Sequence, residues 1–302
     1  MYINFLHILK WSKSFMIRPS KTIKWFLDDF KKDTNSSNFK SKYHNVWCAG
    51  LPKSGTTLIE KILSILPYVS LNNSLLRVFN SRNLDHEHGI SNKMFEKLNN
   101  KEFTFLKTHT HYEKKYEDIA RSNNLKIIVS IRDLRDMLIS RYFHILSDSD
   151  HWLHHNIKNK DFTEGFILSL NLKYKKDQPN ALNYYYYWIL EWHKVAKKNN
   201  YLILWYEDYK NNQLDYIDRV LRYLNFREFS ALEIKDQIVK AREKEKTLKN
   251  SLREYGRSKD TFRKGKVEEW KKYFNKEVLN YFNENIPDKI EKISYEYLKK
   301  HD

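Results

Sequence analysis

Four short apolar runs, residues 46–51, 103–109, 126–132 and 201–206, interrupt a chain that is otherwise polar or apolar at helical spacing. Each run has the length of a strand, and segments long enough for a crossover separate them. That pattern predicts an α/β fold, with a mainly parallel sheet covered by helices on both faces. In such a sheet a ligand binds beyond the carboxyl ends of the strands. Residues 183–198 repeat apolar positions, Trp188 and Trp192 among them, at helical spacing and read as a core-facing helix whose aromatics also serve an acceptor pocket. Residues 234–259 are dominated by charge and read as a solvated helix that leads into a loop. Residues 31–42 are polar and form a connector before the main domain.

Composition changes this picture in two ways. The 55 Lys and Arg residues outnumber 38 Asp and Glu, for a formal charge of +17, so the surface attracts polyanions. The single cysteine, Cys48, lies in the first apolar run. It reads as a small core residue, excludes an intramolecular disulfide and points to a reducing, cytoplasmic setting. Residues 1–17 mix apolar and basic positions without the small-residue cleavage site of a signal peptide, and no run reaches the roughly 18 apolar residues of a transmembrane span. They read as a helix that packs on its own domain.

The chemistry begins directly after the first run, in Gly50-Leu51-Pro52-Lys53-Ser54-Gly55-Thr56-Thr57, followed by a helical pattern over residues 58–66. A strand, a glycine-containing turn and a helix start surround an anion with backbone N–H groups and a positive dipole end. The glycines have the spacing of a nucleotide P-loop, but Thr56 stands where its lysine belongs and the lysine is Lys53. A metal-assisted ATP or GTP site is therefore disfavoured. With its lysine displaced, the string resembles the cytosolic-type sulfotransferases, which use 3'-phosphoadenosine 5'-phosphosulfate (PAPS). The resemblance implies a P-loop-type three-layer sandwich, an N-terminal helical or extended segment over residues 1–44, and a single sulfotransferase domain over residues 45–302. It also implies that Lys53, Ser54, Gly55, Thr56 and Thr57 hold the 5'-phosphosulfate.

Three further segments extend that resemblance in the same order along the chain. Lys107-Thr108-His109 at the second strand end is similar to the family's catalytic segment, which makes His109 the base and Lys107 a cation near the transferring group. His111, two residues on, would share the strand face of His109 if the strand continued that far, but it reads as a histidine satisfied in a loop. Arg132 at the third strand end and Ser140 in the next helix resemble the pair that grips the 3'-phosphate, a role suited to a guanidinium fork and a hydroxyl. Asp133 and Asp136 read as the N-cap and third residue of that helix. Tyr206-Glu207-Asp208 matches a segment whose tyrosine approaches the nucleotide, and Arg263-Lys264-Gly265 matches the loop that closes over the 3'-phosphate.

The chain also departs from the family pattern. Thr110 and His111 stand where Leu-Pro follows the histidine, Leu58 stands where many relatives carry a tryptophan that stacks on adenine, and Glu268-Glu269 replace a Gly-Asp pair. The C-terminal dimer motif of the animal enzymes is missing, which leaves the oligomeric state open. His86, His88, His151, His154 and His155 lack the spacing of a zinc site and read as surface residues. The acceptor is expected to bear a hydroxyl, or an amine, on a small molecule, lipid or glycan, with its pocket shaped by residues 71–101 and 144–180. No specific nucleic-acid partner is expected; non-catalytic anion or nucleic-acid binding and nucleotide kinase activity are the competing functions, of which the first would use the net charge and the second lacks its lysine.

Overall fold

The computed structural model describes residues 45–66, 69–71, 103–173, 179–253, 265–288 and 290–300. All lie in the compact unit Tyr43–Asp302. The expectations for residues 1–44, His86, His88, Arg263 and Lys264 fall outside the described residues.

Five strands form one parallel sheet: β1 (Asn45–Gly50), β2 (Val69–Leu71), β3 (Phe103–Thr108), β4 (Leu125–Ile131) and β5 (Leu202–Trp205), in the order β2-β3-β1-β4-β5. Four of these are the predicted runs, with ends shifted by a residue. The three-residue edge strand β2 was not predicted, because so short a segment offers no period to read. Since the chain visits β2 and β3 on one side of β1 and β4 and β5 on the other, the connections reverse at β1. A ligand crevice forms at such a reversal.

Helices α1 (Thr56–Ile65), α8 (Gln213–Tyr223) and α9 (Ala231–Arg253) pack together on one face. On the other lie α3 (Leu134–Ser147), α4 (His154–Ile157), α5 (Phe162–Asn171), α6 (Ala181–Asn199) and α10 (Lys276–Asn285). The remaining helices α2 (Lys115–Ser122), α7 (Tyr206–Asn211) and α11 (Tyr295–Lys300), and two 3-10 turns at Glu269–Lys272 and Ile290–Ile293, complete the described elements. Alternation along β1 sorts the two cores: Trp47, Ala49 and Leu51 enter the α6 side with Leu106, Ile127 and Val129. Val46 and Cys48 face the opposite way and are also buried. Trp47, Trp188, Trp192 and Trp205 are fully buried, and each removes on the order of 200 Å² of largely apolar surface from water.

The helix ends follow local chemistry. Asp133 caps α3 by accepting the Arg135 amide at 3.0 Å, which puts Asp136 at the third helical position as predicted. Asn180 caps α6 through the Asn183 amide at 2.9 Å, and Asn200 ends that helix in the left-handed region. Cys48 is buried, and its thiol is pushed up to about 12 by desolvation, consistent with a core residue. Among the described residues, no helix is long and apolar enough to cross a membrane.

Candidate active site

The loop from Gly50 to Gly55 turns on residues that resist substitution. A Cβ on Gly50 would overlap Thr56 Cγ2, so the strand must end on glycine for α1 to start where it does. Gly55, at φ 90°, is the N-cap of α1, and no side chain caps that helix start. The Leu58 amide donates back to the Gly55 carbonyl at 2.8 Å, and among the described residues the amides of Thr56 and Thr57 are left for an external acceptor. Lys53 also has positive φ, 62°. Ser54 is wholly buried: its Oγ donates to the Leu51 carbonyl at 2.5 Å and lies 3.0 Å from both the carbonyl and the hydroxyl of Ser130. Its hydroxyl thus ties the loop to β4, while Thr57 is exposed at the helix start.

Arg132, at the end of β4, is 5% exposed and bridges two backbone segments. Its Nη1 donates to the Lys53 carbonyl at 3.3 Å and its Nη2 to the Lys266 carbonyl at 2.8 Å. Its Nε finds no hydrogen-bond partner among the described residues. The Tyr206 ring lies 4.7 Å from the guanidinium, and Tyr206 Oη donates to the Gly265 carbonyl at 3.2 Å. A Cβ on Gly55 would come within 2.9 Å of the Tyr206 ring, and one on Gly265 (φ 58°) within 2.8 Å of its hydroxyl. Loop, arginine, tyrosine and closing segment therefore meet around one spot.

His109 reaches the same spot from β3. Its Nδ1 lies 2.6 Å from the Gly50 carbonyl oxygen, a contact that requires Nδ1 to carry the proton and donate it. In the neutral ring this leaves the lone pair on Nε2. Lys53, His109 and Arg132 thus converge on a single loop, although they are brought there by three different strands.

A family model described as "Sulfotransferase domain" matches residues 44–294. The chain belongs to the sulfotransferase domain family. It is 23% identical over 284 residues to the flavonol 3-sulfotransferase of Flaveria bidentis, covering 85% of each chain. It is 25% identical over 180 residues to sulfotransferase 2A6 of Mus musculus, covering 56% of this chain and 58% of the relative. Among solved structures, mouse sulfotransferase SULT7A1 complexed with PAP is similar with a TM-score of 0.54 at 18% identity, over 90% of this chain and 93% of that one. Retinol dehydratase in complex with androsterone and the inactive cofactor PAP is similar with a TM-score of 0.52 at 20% identity, over 86% and 85%. These structural likenesses agree with the α/β fold.

Other predicted residues of this sulfotransferase are placed differently from one another. Lys107 Nζ is paired with Glu60 Oε2 of α1 at 2.6 Å. His111 does not share the environment of His109, because β3 ends at Thr108 and strand alternation stops with it. Its ring lies edge-on to Tyr184 at 4.1 Å and its Nδ1 is 3.6 Å from Glu191, both on α6. Burial lowers its pKa, so it is neutral at pH 7. Ser140 is buried in α3, one turn beyond Asp136 on the same helix face. Leu58 is buried in α1. His154 Nδ1 lies 3.1 Å from the Ile145 carbonyl, and His151 Nδ1 accepts the Leu153 amide at 3.1 Å. Among the described residues, no group of three or more His, Cys, Asp and Glu is arranged to hold a metal.

Two carboxylates hold the rim together and were not singled out for this from sequence. Asp136 accepts the Trp270 amide at 2.9 Å, so α3 anchors the segment that follows Gly265. Arg135 reinforces the contact by stacking on Trp270 at 3.9 Å. Glu207 Oε1 accepts the Asp133 amide at 3.1 Å and joins the ends of β4 and β5, the two strands that deliver Arg132 and Tyr206. Burial, and after it the Asp133 carboxylate, push the Glu207 carboxyl up to about 8. Asp136 and Glu207 were visible in sequence within their motifs, but their partners stand 134 and 74 residues away.

Proposed function

We propose that this sulfotransferase transfers a sulfuryl group from PAPS to the hydroxyl of a small-molecule acceptor, with His109 as the general base. The observation that carries this reading is the hydrogen bond from His109 Nδ1 to the Gly50 carbonyl, which puts a basic Nε2 beside the anion loop. The donor set suits PAPS: an uncapped helix start follows the loop, and the buried Arg132 keeps an Nε–H without a partner among the described residues. When bound, PAPS supplies an activated sulfuryl group on a phosphate leaving group.

The chain's residues supply the rest. Nε2 of His109 takes the acceptor proton, and the imidazolium that forms stays oriented by the Gly50 carbonyl. Lys53, Gly55, Thr56 and Thr57 present positive charge and N–H donors to the phosphosulfate end. Ser54 contributes by fixing the loop on Ser130. Arg132, Ser140, Arg263, Lys264 and the Gly265 backbone hold the 3'-phosphate, and Tyr206 shapes the nucleotide side. Lys107 stabilises the transferring group by exchanging Glu60 for its oxygens.

The acceptor class follows from the relatives, one named for a flavonol and others crystallised with androsterone or retinol. A single buried thiol suits a reducing cytoplasm, and residues 45–302 form the catalytic domain. The test is transfer from radiolabelled PAPS to a library of flavonols, hydroxysteroids and retinoids, together with thermal stabilisation by PAP and by ATP. Stabilisation by PAP alone, with transfer to at least one acceptor class, is expected. Stabilisation by magnesium-ATP, or by polyanions regardless of the nucleotide, would overturn the assignment.

A further inference from the structure

Strand alternation sends Thr108, the last residue of β3, to the opposite face of the sheet from Lys107. Lys107 lies on the side of Cys48 and α1, whereas Leu106 belongs to the core shared with Trp47 and α6. From that second side, three indoles reach the two residues that flank the histidine, one through a side-chain hydroxyl and two through a backbone carbonyl. Trp47 Nε1 donates to Thr108 Oγ1 at 2.9 Å. Trp188 Nε1 and Trp192 Nε1, one helical turn apart on α6, both donate to the Thr110 carbonyl oxygen, at 2.8 and 3.0 Å. Both lone pairs of one carbonyl are thereby used.

The indoles also brace each other. Trp192 is edge-on to Trp47 at 5.3 Å and to Tyr112 at 5.5 Å, and Trp188 lies 6.0 Å from Trp192. A buried indole N–H needs an acceptor, and most core backbone acceptors are committed to helix or sheet ladders. Here the acceptors belong to the two residues that flank His109, just where β3 stops and the ladder no longer fixes the chain.

We propose that Trp47, Trp188 and Trp192 are positioning residues for sulfuryl transfer, holding the Thr108 hydroxyl on one side of His109 and the Thr110 carbonyl on the other so that its ring stays on the Gly50 carbonyl. This rests on the assignment of His109 as the base. Positional precision of this kind matters because a displacement of about 1 Å in a reacting group lowers turnover on the order of 100-fold.

The test is a double-mutant cycle in the full chain, combining Trp188→Phe and Trp192→Phe, singly and together, with His109→Ala. With one indole removed, the carbonyl keeps a donor and kcat should fall only about 3-fold. With both removed, kcat should fall by about 10-fold or more, while KM for PAPS and the thermal shift produced by PAP stay within about 2-fold of the parent. In the His109→Ala background the tryptophan changes should cause no further loss. Equal losses in both backgrounds, or a raised KM for PAPS with kcat intact, would overturn the proposal. Should the double variant not fold, Thr108→Val, which removes the acceptor of Trp47 at nearly constant volume, carries the same expectation and the same refutation. Where turnover of His109→Ala is too low to measure, the division of the effect between kcat and KM decides. Full activity of His109→Ala alone would instead refute the base assignment, so the two failures are separable.

Discussion

His109 Nδ1 and the Gly50 carbonyl oxygen are 2.6 Å apart, so His109 and the loop after β1 share one hydrogen bond. Gly50 is the last residue of β1, and its carbonyl selects the imidazole tautomer. On the proposed mechanism, loop geometry and proton transfer are coupled through this single backbone group.

Replacing His109 with alanine should lower kcat by about 100- to 10,000-fold, the usual range for loss of a positioned base. PAP should still raise the melting temperature, because the donor-binding residues are untouched. Steady-state kinetics with radiolabelled PAPS, paired with thermal shift, checks both halves. Unchanged kcat would remove His109 from its role.

Gly50→Ala should destabilise the fold by about 1–3 kcal/mol and abolish the PAP thermal shift, since the new methyl overlaps Thr56 Cγ2 and displaces the start of α1. Thr56→Ser deletes that methyl. Combining the two changes should recover part of the stability and of the PAP response, measured by chemical denaturation and calorimetry. A double variant as unstable as Gly50→Ala alone would show that the overlap is not the cause.

Glu207 gives the fold a defined pH dependence. Its ordinary value is 4.5, and burial raises it to about 8 in the folded chain. Between those values the unfolded chain has lost a proton that the folded chain keeps, so stability falls as pH rises through the window. Glu207→Gln keeps the acceptor for the Asp133 amide and cannot ionise. It should flatten the decline between pH 6 and 9 and stabilise the protein at pH 9 by on the order of 2 kcal/mol. Denaturation curves across that range measure the slope; an unchanged slope would mean that Glu207 does not titrate there.

Glu268 occupies the left-handed region at φ 57°, where the family pattern has glycine. An L-residue in that conformation costs about 1 kcal/mol, and the greater freedom of glycine in the unfolded chain offsets part of the relief. Glu268→Gly should therefore stabilise the protein by about 0.5 kcal/mol, despite losing a pair to Lys271 in which both side chains are about half exposed. A measured loss of stability would assign that surface pair more weight than the backbone strain.

The four long strands, the loop after β1, the Asp133 cap and the ordered motifs were legible in the sequence. All depend on local rules: a two-residue period in strands, glycine where φ is positive, and an acceptor side chain at a helix start. The same locality explains the misses. β2 was too short to show a period. The partners that satisfy His111, read as a loop histidine, were equally out of local reach: past the end of β3 at Thr108 its ring meets Tyr184 and Glu191 on α6.

The sequence by itself determined the loop between β1 and α1 and the order in which the strand ends present Lys53, His109, Arg132 and Tyr206, because turn and strand preferences act over a few residues. Only the tertiary structure decided what each of them touches. Lys107 meets Glu60 rather than the loop, Asp136 takes the Trp270 amide, Glu207 takes the Asp133 amide, and two indoles of α6 settle on the carbonyl beside His109. Those partners lie 47 to 134 residues apart along the chain, and only burial in a common core, where every polar group must find a partner, brings them within hydrogen-bonding reach.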